Sequence, residues 1–278
     1  MAHDTHAAPP PGFDAGLVAR VLDDALAAGA RVYGISGLQG SGKSTLAAQL
    51  VDEAGRRGVR AVALSLDDFY LDAPERASLA RAVHPLLATR GPPGTHDVGQ
   101  ACAVLDALRA GQPVRVPRFD KLADRRLPPA QWHAVARPGL VLFEGWCLGA
   151  PAEVDEALAA PLNRLERAED GDGRWRRWCN AALGRDYPAL WQRIDRLLFL
   201  RPPCFEVVPG WRWQQEQALR AREPGRGGMS RAQAERFVQH YERVSRQVLR
   251  SLPALADAVI ALDAERRPSG LDIRGNRR

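Results

Sequence analysis

Residues 37–44, GLQGSGKS, set Gly37, Gln39, Gly40, Ser41, Gly42, Lys43 and Ser44 into the pattern G-x-x-x-x-G-K-[ST], with Thr45 directly after it. In that pattern the backbone N–H groups of a glycine-rich turn wrap phosphate oxygens. The lysine bridges the terminal phosphates, and the hydroxyl holds Mg²⁺. Only two of the 39 basic residues are lysines, and one of them is Lys43, which argues against a chance match in an ordinary strand-to-helix turn. The octet therefore predicts a nucleoside triphosphate held with Mg²⁺.

Phosphate binding alone does not say what becomes of the phosphate. Transfer to an alcohol needs a carboxylate to orient the hydroxyl and take its proton, and cations to spread the charge of the migrating group. Asp67 and Asp68 end the apolar run RAVALSL (60–66), and Glu144 ends GLVLFEG (139–145). The Asp pair suits the base. Glu144 suits the metal, beside Ser44, or polarisation of the attacking group. Acidic residues in such places also cap helices, which is the competing reading. An anionic acceptor asks for polar and cationic partners, and Arg90, His96, Arg118, Asp120 and Lys121 all fall in one loop-rich region; each taken singly also fits a solvated surface charge. Arg212, Arg220, Arg222 and Arg226 flank the glycine-rich EPGRGGMS (223–230) and are candidates for a lid over the phosphates. The tryptophans at 175, 178, 191, 211 and 213 read as helix-packing residues.

Other users of a phosphate loop fit less well. A GTPase needs an N-K-x-D guanine reader, but the second lysine, Lys121, stands in FDKL. A motor ATPase would be larger and carry nucleic-acid modules. A nucleotide switch or RNA-associated factor draws on the net charge of +6 and the dispersed arginines. Only 6% of the residues are aromatic, however, few for stacking on single strands, so nucleic acid is not the expected partner. A kinase for a small molecule leads.

Such residues must be positioned by a scaffold. DAGLVARVLDDALAAG (14–29) reads as an amphipathic helix, RVYGIS (31–36) as the strand before the phosphate loop, and STLAAQLVDEAGRR as the helix after it. Further short apolar runs at 60–66, 139–145, 196–200 and 257–261 read as strands buried on both faces. Residues 152–193 and 229–251 read as helices, the second capped by Ser230. Strands alternating with helices predict an α/β doubly wound, mostly parallel sheet flanked by helices, with ligands beyond the carboxyl ends of the strands. One domain is expected over 13–265, with an acceptor-binding excursion at 84–138 and disordered tails at 1–12 and 266–278.

In order along the chain, the phosphate loop, LSLDDFY, HPLLATRGPPGTHD, RFDK and LFEGW resemble the plant and fungal D-glycerate 3-kinase family, within the phosphoribulokinase, uridine kinase and pantothenate kinase group. The resemblance spans about residues 31–262 and includes EDGDGRWRRWCN and FEVVPGWRWQQEQ. It implies a P-loop NTPase fold and transfer of the γ-phosphate of ATP to D-glycerate. Kinases for pantothenate, a nucleoside or a sugar phosphate are the alternatives. In related uridine kinases the base comes from D-x-F-Y, which here implies Asp67 over Asp68 as base and puts Asp68 and Tyr70 at the acceptor. Their F-E-G corresponds to Phe143, Glu144 and Gly145. Their P-x-Y-D corresponds to Pro117, Phe119 and Asp120, with Phe119 lacking the tyrosine hydroxyl. The paired lid arginines of those enzymes have no counterpart in the scattered arginines around GRGG.

No apolar run approaches the roughly 18 residues needed to cross a bilayer, and MAHDTHAAPPPGFD lacks the basic-then-apolar order of a secretory signal. Cys102, Cys147, Cys179 and Cys204 form no C-x-x-C pair, which argues against zinc or a disulfide framework and for a reducing, cytoplasmic setting.

Overall fold

The computed structural model describes residues 12–222, except the Arg222 side chain, and residues 228–275. The expected tail at 1–12, apart from Gly12, and Arg226 of the expected lid lie outside them. Asp14 opens α1 (Ala15–Ala27) by accepting from the N–H groups of Gly16 and Leu17, and Val18, Val21, Leu22 and Ala25 bury its apolar stripe. The fully buried β1 (Val32–Gly37) leads through the phosphate loop into α2 (Lys43–Arg56). Leu46 and Leu50 of α2 have no exposed surface, worth roughly 1.5–3 kcal/mol each in fixing the helix that carries Lys43.

The chain continues through β2 (Ala61–Ser65), α3 (Ala73–Ala82), α4 (Val98–Arg109), β3 (Val114–Val116), β4 (Phe119–Asp120), β5 (Arg125–Arg126), β6 (His133–Val135) and β7 (Leu140–Gly145). Then follow α5 (Arg164–Glu169), α6 (Arg174–Arg185), α7 (Pro188–Trp191), β8 (Arg196–Arg201), α8 (Val208–Arg222), α9 (Arg231–Gln239), α10 (Glu242–Leu255), β9 (Ala258–Leu262) and β10 (Pro268–Ile273). The main sheet runs β10-β9-β8-β1-β7-β2 and is parallel throughout except for β10. Alternate residues of its central strands feed two cores. Tyr33, Ile35, Leu142 and Leu198 pack with α1 and α2, while Val32, Phe143 and Phe199 pack with α4, α7 and α10.

Four expectations change. First, β2 is an edge strand with partly exposed residues, not one buried on both faces. Second, residues 84–138 are not only loop. Ala101, Val104, Leu105 and Leu108 of α4 enter the core, and β4 and β5 form a small hairpin. Third, both helical stretches break. GDG (171–173) separates α5 from α6, and α9 ends in a tight turn at His240, whose N–H bonds to Phe237 O, before α10 begins. Ser230 does cap α9, in a capping box with Gln233. Fourth, residues 268–273, expected to be disordered, form β10, which covers the edge of β9. Its end is tied down because Arg274 donates to the carbonyls of Pro253, Ala254 and Ala256, where the end of α10 favours a cation. Among the described residues no helix is long and apolar enough to cross a membrane.

Candidate active site

The phosphate loop stands at the carboxyl end of β1, the strand between β7 and β8. Gly40 (φ +79°) has no room for a side chain, since a Cβ there would lie 2.6 Å from Trp211 Cβ. Trp211 is itself fixed by donating Nε1–H to Ala264 O at 2.7 Å. Gly42 (φ +93°) is the left-handed N-cap of α2 and supplies no side-chain acceptor, so it leaves the first-turn N–H groups to a ligand anion. Lys43 Nζ donates to Leu38 O at 3.1 Å. Burial pulls its ammonium below the ordinary lysine value, against Glu144 and Asp67.

β7 sets Glu144 between Ile35 of β1 and Ser65 of β2. Ser44 Oγ donates to Glu144 Oε1 at 2.8 Å, so two hard oxygen donors meet beside Lys43. Among the described residues no three or more His, Cys, Asp or Glu side chains group to hold a metal. Two oxygens suit Mg²⁺, which fills its remaining positions with water and phosphate.

After β2, Ser65 Oγ accepts from the Asp67 N–H at 3.3 Å and opens a short turn that carries the acidic pair. Asp67 Oδ1 accepts from Tyr70 Oη at 2.6 Å, and Oδ2 from Lys121 Nζ at 2.5 Å. Burial alone would raise the Asp67 pKa; Lys121, the Tyr70 hydroxyl and Lys43 together hold it well below the usual carboxylate range. Asp68 has a different use: Oδ1 accepts the Phe119 N–H at 3.2 Å and fixes β4, and burial raises its pKa.

A cleft of about 1210 Å³ runs from Gln39, Gly40, Gly42, Lys43, Ser44 and Thr45 past Glu144 and Asp67 to Tyr70, Arg90 and Lys121. Gly37 and Ser41 lie behind the loop, where a Cβ on Gly37 would meet Ser41 Oγ at 2.7 Å. Besides Asp68, three residues expected at the acceptor are used otherwise. His96 is buried, with Nδ1 2.6 Å from Tyr187 Oη and its ring against Tyr70. Desolvation takes its pKa down to about 4, because burial disfavours the imidazolium. Arg118 is exposed, with Nε 3.7 Å from Asp68. Asp120 accepts the N–H groups of Leu122 and Ala123 and shapes the turn that presents Lys121.

The sequence reading missed Arg76 and Asp124. Asp124 lines the cleft and accepts from Arg76 Nη2 and Arg90 Nη1, both at 2.5 Å. It also missed Tyr241, which donates to Arg90 O at 2.7 Å. Nothing in the bare spacing of these residues signals contacts made so far apart in the chain. Of the lid candidates, Arg212 lines the cleft and pairs with Glu216, whereas Arg220 donates to Gly228 and Met229 carbonyls and secures the approach to α9.

No family model matches the chain. Uncharacterized kinase mug58 of Schizosaccharomyces pombe is 39% identical over 222 residues, which cover 76% of this chain and 78% of that protein. The chloroplastic D-glycerate 3-kinase of Arabidopsis thaliana is 32% identical over 255 residues, 84% of this chain and 52% of the relative, so the chain spans about half of that protein. The structure of D-glycerate 3-kinase from Cryptococcus neoformans var. grubii superposes with a TM-score of 0.76 at 25% identity, covering 92% of this chain and 99% of the other. The YGR205w protein shares the fold, with a TM-score of 0.72 at 23% identity. Phosphate loop, sheet order and relatives agree: the chain belongs to the D-glycerate 3-kinase family of P-loop kinases, enzymes that transfer phosphate to a hydroxyl group.

Proposed function

We propose that the protein transfers the γ-phosphate of ATP to D-glycerate, giving 3-phosphoglycerate and ADP. One observation carries the reading: a single cleft joins the phosphate loop to a carboxylate, Asp67, and then to the half-buried Arg90 and to Asp124, behind which the buried Arg76 reaches the same carboxylate. Two relatives named D-glycerate 3-kinase support the acceptor. Kinase-named relatives also weigh against the switch and RNA-associated alternatives.

In this mechanism Lys43 and the loop N–H groups hold the β and γ phosphates. Ser44 and Glu144 would hold Mg²⁺, which, when bound, would neutralise charge building on the phosphate oxygens. Asp67 orients the acceptor hydroxyl and takes its proton as the oxygen bonds to phosphorus and the bond to ADP breaks. A carboxylate is a modest base, which suits a loose transition state in which the proton leaves late. Tyr70 keeps Asp67 in place, and the acceptor's carboxylate meets Arg90 and Arg76. Four thiols free of disulfides support a reducing, cytoplasmic setting.

The test is ADP release from Mg·ATP with D-glycerate, pantothenate, uridine or ribulose 5-phosphate as acceptor. Stimulation by D-glycerate with 3-phosphoglycerate formed is the expected result. Stimulation by a different alcohol alone replaces the acceptor.

A further inference from the structure

We propose that Lys121 and Asp124, the two charged ends of one hairpin turn, occupy the acceptor's contacts in the free enzyme and make Asp124 a specificity-determining residue. Only a molecule with both a hydroxyl and a carboxylate displaces the turn at both ends. This inference rests on the reading of the acceptor as a hydroxy acid.

The turn joins β4 to β5, which pair only as Phe119 with Arg126 and Asp120 with Arg125. Its first residue, Lys121, donates to Asp67, the carboxylate that must receive a hydroxyl. Its last, Asp124, accepts from Arg76 and Arg90, the cations that must receive a carboxylate. Both ends line the same cleft. The turn thus sets a cation on the base and an anion on the cations.

The receiving groups are fixed without the turn's charges. Arg76 Nε donates to Ala88 O at 3.1 Å and Nη1 to Leu71 O at 2.6 Å, so only Nη2 changes partner. The Arg90 guanidinium lies over the rings of Phe119 and Phe237, at 5.7 and 6.0 Å. The leaving groups are open to water: the side chains of Lys121 and Asp124 are 56% and 46% exposed. A carboxylate that replaces Asp124 keeps the buried Arg76 paired, avoiding the heavy cost of a lone buried charge. A bare anion can replace Asp124 but leaves Lys121 on the base. A neutral alcohol has nothing to offer the arginines. Selectivity comes from what must be displaced as well as from what is gained.

Asp124 has φ +52°, a left-handed conformation that Asn also tolerates. Asp124→Asn therefore removes the charge and keeps the backbone; Asp124→Gly, unstrained at that φ, is the second variant should the first fold poorly. Each is titrated calorimetrically, beside the wild type and without ATP, with sodium sulfate and with D-glycerate. Sulfate should bind the variants about 10-fold more tightly and D-glycerate about 3-fold, narrowing the preference for the hydroxy acid. The sulfate gain should vanish when Arg90→Gln is added. Unchanged or weaker sulfate binding overturns the proposal and leaves Asp124 as a support for the arginines. Failure of the wild type to phosphorylate D-glycerate would remove the acceptor assignment separately, since the sulfate titration alone decides the role of Asp124.

Discussion

Arg176 pairs with Asp170 at 2.9 Å with both side chains at most 1% exposed, whereas Arg90 pairs with Asp124 at 2.5 Å with 16% and 46% exposed. Around the first pair, Arg176 also donates to the carbonyls of Leu158, Ala159 and Asp170, and Asp170 accepts the N–H groups of Trp175 and Arg176. Arg243 nearby holds both oxygens of Glu166 and the carbonyls of Ala157 and Ala160. The motif EDGDGRWRRWCN is thereby absorbed into scaffolding: its arginine ties α6 to backbone that has no regular partners of its own. In the cleft the same chemistry is left open. Lys121 and Asp124 meet their partners from a turn held by a short ladder, and water waits to solvate them. The difference teaches that an arginine–carboxylate pair is structural when both partners are buried, and exchangeable when one partner can return to solvent.

The largest expected effect separates the reacting end of the cleft from everything else. Asp67→Asn should lower kcat by about 10³-fold or more while leaving ATP affinity nearly intact. Lys43→Ala should abolish turnover and also weaken ATP binding, measured by nucleotide titration. Equal loss of ATP affinity in both variants would remove Asp67 from the base role.

Next come paired substitutions that set the two clusters directly against each other. Arg176→Met leaves the Asp170 carboxylate buried without its cation and should cost about 3–5 kcal/mol of stability, seen as a melting point lower by about 10 °C, with KM for the acceptor unchanged in the folded fraction. Arg90→Met should move the melting point little, because Asp124 stays paired with Arg76 and its other oxygen is open to water, and should raise KM for the acceptor by about 10- to 100-fold. If the two variants traded these outcomes, the division between scaffold and site would be wrong.

That division was only partly legible in the sequence. The phosphate loop, DDFY and the glutamate ending β7 are local patterns: a strand delivers each to the same edge of the sheet, so spacing alone locates them. Arg76, Asp124 and Tyr241 meet through contacts that span 34, 48 and 151 positions, and no local rule selects them from a chain this rich in arginine. His96 was misplaced for a related reason. It looked like a titratable group in a loop, but the loop folds back so that Phe69 O accepts the Asp97 N–H and Thr95 O the Leu71 N–H, which turns the ring inward. The tail was misread because its composition is polar. Its strand forms because β9 offers an open edge and α10 offers carbonyls for Arg274.

The smallest expected effect compares the histidines that back the two regions. His96 packs on Tyr70, which holds Asp67, and His240 packs on Trp175, whose N–H bonds Asp170. Each is buried, has an Nε2 without a partner, and has its pKa taken down by desolvation to about 4. Above pH 6.5 both are neutral whether the chain is folded or not, so they contribute no pH dependence. Below it the unfolded chain takes up protons that the folded chain refuses, and stability falls until the folded state also protonates near pH 4. At pH 5.5 the loss is about 1.4 kcal/mol per histidine. Urea unfolding at pH 7.5 and 5.5 should show a difference that shrinks by this amount in His96→Asn, by the same amount in His240→Asn, and by both in the double variant. Neutral Asn fits the first site because Tyr187 Oη, already accepting from Gly94 N–H, is free to donate to Nδ1, so the ring there serves as an acceptor. An acid loss that survives the double variant would assign it to His133, where burial and Arg118 also hold the imidazole below its ordinary value, because the depressed Asp67 carboxylate stays ionised in the folded and the unfolded chain over this range.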